Sequence, residues 1–374
     1  MQPILIGSEI YRRSSFGGKH PLSIPRVSTA LDLIRALGWV DPAQYRDSPR
    51  ASALELTRFH APDYVAALER AQATQSVAEA DRARFDIGAR GNPVYREMFD
   101  RPRTGAGGLL LAAELTREGG VAHVPGAGTH HGQPDRASGF CYLNDLVLGI
   151  LAWLDQGLER VLYLDLDAHH GDGVEAAFAT DPRVMTISVH EAGRWPFTGA
   201  ASAAGARNIP VPEGYADAEA DWVLQAAILP LIRYWRPQAI LVQAGADALA
   251  EDPLARLALS NNAYFTTLAA VMGLAPRLIV TGGGGYNPWS VARCWAGLWG
   301  VLNGLPVPAR LPPDAEAVLR GLTWSRAAGR DPPGHWFTTL LDPPQPPAPV
   351  RDEVVRVCEA VMRDLPESVA YSPP

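Results

Sequence analysis

The chain has 374 residues, 47% of them hydrophobic and 20% charged, with a formal net charge of −7 and three cysteines. That length carries a large core, the acidic balance argues against a nucleic-acid surface, and three widely spaced cysteines build no disulfide framework. No apolar run reaches the roughly 20 residues that cross a bilayer, and residues 1–6 lack a basic stretch leading into an apolar one, so no membrane partner and a reducing, cytoplasmic setting are expected. Lys19 is the sole lysine. A Gly-rich phosphate loop of the kind that ends in lysine is therefore excluded.

In chain order, short apolar runs at 4–7, 122–124, 161–164, 184–189, 239–243 and 278–281 read as strands. Segments with helical spacing at 28–37, 62–71, 106–118, 144–155, 218–234, 262–274 and 290–302 fall between and around them. Alternation of this kind predicts an α/β fold with a mostly parallel central sheet and helices on both faces. Residues 305–349 are proline-rich and irregular, and 352–364 reads as an amphipathic helix. The expectation is a single domain over 1–374, with a core to about 302 and a C-terminal extension packed on it.

The ionisable groups follow the strands. His130 and His131 come after 122–124, and Asp165, Asp167, His169, His170 and Asp172 come after 161–164. Asp247 follows 239–243, and Tyr286 follows 278–281 and four glycines, Gly282 to Gly285. Ligands in open α/β sheets bind at the C-terminal strand ends. In extended backbone Asp165, Asp167 and His169 point the same way. Asp167, His169 and Asp247 offer one nitrogen and two oxygens, leaving a fourth position open as in catalytic zinc sites. Fe2+ or Co2+ would accept the same set. His60, His123, His335 and His170 are read as structural. The glycines do not make a dinucleotide cradle, because the last glycine of that pattern would fall at Asn287.

Six blocks carry a resemblance. They are 128–131 (Gly-Thr-His-His), 137–145 (Ala-Ser-Gly-Phe-Cys-Tyr-Leu-Asn-Asp), 163–173, 184–190 (Val-Met-Thr-Ile-Ser-Val-His), 243–247 (Gln-Ala-Gly-Ala-Asp) and 282–286 with 291–295 (Val-Ala-Arg-Cys-Trp). His20-Pro21 and Arg26 also fit. The chain resembles the zinc-dependent histone deacetylases of the arginase/deacetylase fold over residues 5 to 302, and within them the bacterial acetoin-utilisation type. The resemblance implies a three-layer fold and hydrolysis of N-acetyl-lysine in a protein, a peptide or another small acetylated amine. An acetylpolyamine amidohydrolase is the first rival, and a silent acyl-lysine binder a second.

The resemblance further implies that Asp165 orients His130, that Asp172 orients His131, and that His131 takes a proton from the attacking water. It makes Tyr286 the oxyanion donor, with the glycines turning the chain tightly before it. It implies one catalytic metal, since a two-metal site would want acids where Gly171 and Leu249 stand. It gives Gly139, Phe140, Trp195 and Leu254 to the substrate tunnel, Trp195 standing in 193–198 (Gly-Arg-Trp-Pro-Phe-Thr) where relatives read Phe-Pro-Gly-Thr. It implies a potassium ion at Asp165, Ser188 and backbone oxygens of Asp167, His169 and Val189, and a second monovalent site near Phe178, Asp181 and Val184. Relatives acting on peptides carry a rim aspartate. The stretch 89–93 (Ala-Arg-Gly-Asn-Pro) has no acid, and Asn92 is its nearest polar residue.

Overall fold

The computed structural model describes residues 2–18, 20–363 and 365. Eight strands form one sheet: β1 Ile4–Gly7, β2 Tyr45–Asp47, β3 Gly120–Val124, β4 Val161–Asp165, β5 Val184–Glu191, β6 Ala206–Val211, β7 Ala239–Gln243 and β8 Arg277–Thr281. Their order is β2-β1-β3-β8-β7-β4-β5-β6, and every pairing is parallel, so the sheet is parallel throughout rather than mostly.

Period-two alternation sorts the strand side chains into two cores. Leu162, Leu164, Ile240, Val242, Leu278 and Val280 pack into one cluster, and Val161, Tyr163, Ala239, Leu241 and Ile279 into the other. Both faces are thus covered, and the central strands read as continuous apolar runs for that reason. The two strands the sequence pattern did not reveal are the sheet's edges. β2 has three residues, two of them exposed, and β6 reads Ala-Arg-Asn-Ile-Pro-Val with a proline. Short, polar and proline-bearing strands are what edges tolerate, and they carry little hydrophobic signal.

The helix expected at 218–234 spans Asp217–Val223, a π-turn at Leu224–Ile228, and Leu229–Trp235. Pro230 sits just after the widened turn, which accommodates its missing N–H and the bulk of its ring. The helix expected at 106–118 begins earlier, at Asp100–Leu115, because Gly105, Gly107 and Gly108 are tolerated where backbones and side chains press close.

The C-terminal extension is tied to the main core. The Trp336 ring stacks on Trp289 at 5.3 Å, and Asp342 accepts from the buried Arg293 guanidinium at 2.6 Å. Val354, Cys358 and Val361 of the helix Asp352–Met362 belong to the larger core cluster. Asp364, the expected last residue of that helix, lies outside the described residues. Among those residues no helix is long and apolar enough to cross a membrane.

Candidate active site

Four neighbouring strands, β3, β8, β7 and β4, deliver the chemical groups from their C-terminal ends. β4 stops at Asp165, so residues beyond it converge through a turn rather than by strand alternation. Asp165 closes the strand and its Oδ1 accepts the Asp167 amide at 3.1 Å. The chain then folds so that Asp167 Oδ1 accepts the His169 amide at 3.0 Å. This tight wrapping brings Asp167 and His169 to one point, where Asp247 arrives from β7.

Ligand atoms of Asp167, His169 and Asp247 all lie within 4.8 Å of one another. His169 Nδ1 is 3.2 Å from Asp167 Oδ1 and 3.0 Å from Asp247 Oδ2. The remaining carboxylate oxygens are held by donors from the frame. Asp167 Oδ2 accepts from Gln243 Nε2 and from the Gly284 amide, each at 2.8 Å, and Asp247 Oδ1 accepts from the Ala168 amide at 3.0 Å. Glycine is required around the trio. A Cβ on Gly245 would lie 2.1 Å from Asp167 Oδ2, and one on Gly284 would lie 2.0 Å from Asp247 Oδ2.

Two buried carboxylates this close repel. Burial and the Asp167 charge push the Asp247 carboxyl up. At His169 burial works downward, but hydrogen bonds to both carboxylates prevail and raise it well above the usual imidazole range. A proton on His169 Nδ1 therefore occupies the position that a cation with one nitrogen and two oxygen ligands would take. The residues fit such a cation. The positions where a second metal would want acids, Gly171 and Leu249, hold none, and a Cβ at Gly171 would already sit 2.3 Å from Asp165 Oδ2.

The two imidazoles stand side by side, ring centroids 3.8 Å apart. His130 Nδ1 donates to Asp165 Oδ2 and His131 Nδ1 donates to Asp172 Oδ1, both at 2.7 Å, which leaves each Nε2 free of that bond. Burial lowers both. At His130 the charges of Asp165 and Asp167 outweigh burial and bring it up to about 9. At His131 burial and the neighbouring His130 charge bring it down to about 3. Of the two, His130 is therefore the ring that takes up an additional proton first, and His131 stays the neutral acceptor. Their loop is braced from below, since Asp145 accepts the Gly128 and Thr129 amides and Asn144 donates to the carbonyls of His130 and Gly132.

Tyr286 is buried, and its amide donates to Asp252 Oδ2 at 2.6 Å. Its hydroxyl has no protein partner among the described residues. Burial, then the charges of Asp247 and Asp167, hold the phenol well above its usual range, so it remains a donor. The glycine turn before it is pinned by Arg26, whose Nη1 donates to the Gly283 carbonyl at 2.7 Å.

Above these groups lies a cleft of about 790 Å³, lined by His131, His169, Gly139, Phe140, Trp195, Leu254 and Tyr286 among others. Phe140 and Trp195 both line it. The Phe140 ring is 5.9 Å from Tyr286, and the Trp195 indole is 4.6 Å from His131 and 6.2 Å from His169. Gly139 lies under the indole, where its absent side chain leaves room.

Asn92 lines the cleft from inside its wall. It is buried, donates to Asp86 Oδ2 at 3.0 Å, and accepts the Phe140 amide at 3.1 Å, so it fixes one wall of the cleft. Besides Asp172, the acid lining the cleft is Asp86, outside the stretch 89–93. Nothing in the spacing singled it out, because it arrives from the end of the helix Glu79–Phe85.

Asp165 and Ser188 are register partners on β4 and β5, and the Ser188 hydroxyl contacts His190 Nδ1 at 2.9 Å. Phe178, Asp181 and Val184 share one turn, where the Phe178 carbonyl accepts the Asp181 amide and the Asp181 carbonyl accepts the Val184 amide. Sequence reasoning missed Gln243, Tyr163 and Asp252, which hold Asp167, Asp165 and the Tyr286 backbone respectively. Gln243 and Tyr163 lie inside the strand runs that carry the site, which was the available signal.

His60 and His123 are structural, as expected, with both ring nitrogens bonded. His170 Nε2 donates to Glu175, and its Nδ1 accepts from the Thr198 hydroxyl at 2.8 Å.

The Histone deacetylase domain family matches residues 20–302. Histone deacetylase 9 of Arabidopsis thaliana is 37% identical over 309 residues, covering 79% of this chain and 72% of that protein. Acetoin utilization protein AcuC of Bacillus subtilis (strain 168) is 34% identical over 367 residues, covering 92% of each. The chain spans less than two thirds of the length of several other relatives. Among solved structures, an HDAC homolog complexed with SAHA superposes with a TM-score of 0.91 at 34% identity, covering 96% of this chain and all of that one.

Proposed function

The chain belongs to the histone deacetylase family, and from that premise we propose that it hydrolyses the amide of N-acetylated lysine side chains, as one catalytic domain acting in the cytoplasm. The observation that carries this reading is the delivery by four adjacent strands of one set of groups to the floor of one cleft. The set comprises a cation-ready trio, two carboxylate-backed imidazoles and a phenol without a protein partner among the described residues.

A divalent cation held by Asp167, His169 and Asp247, zinc in this family with Fe2+ or Co2+ accepting the same ligands, would supply Lewis acidity for the acyl carbonyl and lower the pKa of water there. The chain's own residues do the rest. Neutral His131, backed by Asp172, accepts the proton of the attacking water. The Tyr286 hydroxyl donates to the oxyanion that develops on the carbonyl oxygen. As the C–N bond breaks, the histidine pair returns a proton to the departing amine, and the products are acetate and free lysine. Asp165 holds the His130 ring with its Nε2 toward the site. Phe140, Trp195 and Leu254 enclose the methylene stem, and Gly139 leaves room for it. Potassium beside Asp165, Ser188 and the backbone of Asp167, His169 and Val189, with a second monovalent ion near Phe178, Asp181 and Val184, belongs to the same proposal.

A panel of acetyl-lysine peptides, acetylpolyamines and longer acyl-lysines, assayed with defined metals, tests it. The expected result is turnover of acetyl-lysine above the other classes. Turnover of acetylpolyamines alone would overturn the lysine assignment.

A further inference from the structure

We propose that Phe197 forms an aromatic platform at the cleft mouth that binds a large apolar side chain adjacent to the acetyl-lysine of a peptide or protein substrate. The inference rests on the deacetylase reading and deepens its substrate class.

Two observations carry it. Phe197 has a φ of +63°, in the left-handed region that favours glycine, and it is 74% exposed. A phenylalanine that gains nothing from burial is an expensive choice for a left-handed turn, where glycine would sit unstrained. Of the other four non-glycine residues with positive φ among the described residues, two, Asp86 and Phe140, line the cleft beside this turn. Two of the five thus line this cleft, and Phe197 follows its lining residue Trp195 by two positions.

The position is also fixed. The Phe197 amide donates to the Arg194 carbonyl at 2.7 Å, closing a turn that sets Phe197 beside the cleft-lining Arg194 and Trp195. Arg194 is held to Glu191 Oε1 at 3.2 Å and by its Nε to the Leu254 carbonyl at 3.0 Å. On the other side Thr198 is held by His170, and the Gly199 carbonyl lies 3.1 Å from His190 Nε2. Phe197 is thus exposed on an anchored turn and not on a loose one. Trp195, two residues earlier, is 38% exposed and reaches down to His131. An acetyl-lysine seated between Phe140 and Trp195 leaves its backbone at the mouth, and the neighbouring side chain lies over the exposed ring.

The test compares two acetyl-lysine peptides differing only in the adjacent residue, tryptophan or glycine. Dissociation constants are measured by calorimetry on zinc-loaded protein disabled by His131→Ala, with and without Phe197→Gly. Turnover of an end-blocked single acetyl-lysine by the active protein is measured alongside. The platform predicts about tenfold tighter binding of the tryptophan peptide. Phe197→Gly should abolish that preference while leaving turnover of the single acetyl-lysine unchanged. Phe197→Gly also relieves the left-handed strain, so loss of folding does not mimic the effect. Equal binding of the two peptides, or a preference that survives Phe197→Gly, overturns the platform. Discrimination without any turnover supports the platform and counts against the deacetylase reading instead.

Discussion

Tyr286→Phe removes one oxygen and leaves the ring. The ring packs edge-on to Phe140 at 5.9 Å, and the backbone stays fixed through its amide bond to Asp252. The hydroxyl has no protein partner among the described residues, so its removal leaves no buried group unsatisfied. Stability should therefore stay within about 0.5 kcal/mol of wild type. Burial keeps the phenol protonated across any practical assay range, so the donor is present in wild type at every pH tested. Losing one donor to a developing oxyanion costs about 10² to 10³ in kcat, or about 3 to 4 kcal/mol of transition-state stabilisation. Binding of acetylated ligand should change by a small factor only. Steady-state kinetics on an acetyl-lysine peptide at saturating zinc, with metal content and thermal melting measured in parallel, reads all three. A variant with wild-type kcat, or one whose defect lies wholly in KM, would refute the donor role and reduce the glycine turn to packing.

Gly139→Ala should lower kcat/KM by about ten- to a hundredfold. Its Cβ would lie 2.3 Å from the Trp195 ring and 2.7 Å from His131 Cδ2 at a φ of +53°. Unchanged kinetics would mean that the cleft is not the substrate path. Zinc affinity should rise with pH by up to about tenfold per unit through neutrality, because the cation displaces the proton that both carboxylates hold on His169. A calorimetric titration at several pH values that shows no proton release would contradict this. Acid should destabilise the fold through His60, whose Nδ1 donates to Gln133 and whose Nε2 accepts the Asn144 amide. Burial takes its folded pKa down to about 4 from 6.5, so its contribution is whole above 6.5 and is lost as pH falls toward 4. The loss totals about 3 kcal/mol, and a wild-type unfolding profile no steeper than that of His60→Gln would count against it.

What the sequence reveals here follows from burial. Central strands such as Val161–Asp165 and Ala239–Gln243 are buried on both faces, so they stand out as apolar runs, and the groups that follow them announce the site. The edges Tyr45–Asp47 and Ala206–Val211 are polar because they face solvent or carry proline, and the pattern passes over them. Asp167 and His169 do converge, but through the turn after Asp165 and not by the pleat, while Asp165 itself turns to His130, which a one-dimensional alternation cannot distinguish. The contacts of Asp86 and Asn92 were not legible for a different reason. Their roles depend on a helix end folding back over Phe140, a long-range contact with no local signature.

The most direct test of the account follows acetate and free amine together. Zinc-reconstituted protein is given an acetyl-lysine peptide, and both products are quantified by NMR, with Asp247→Ala protein as the control. The account predicts equal amounts of acetate and lysine, loss of both on chelation, recovery on adding zinc, and no recovery in Asp247→Ala, which should also fail to retain the metal. Unchanged product formation in chelated, metal-free wild-type protein, or full activity in metal-free Asp247→Ala, would contradict it.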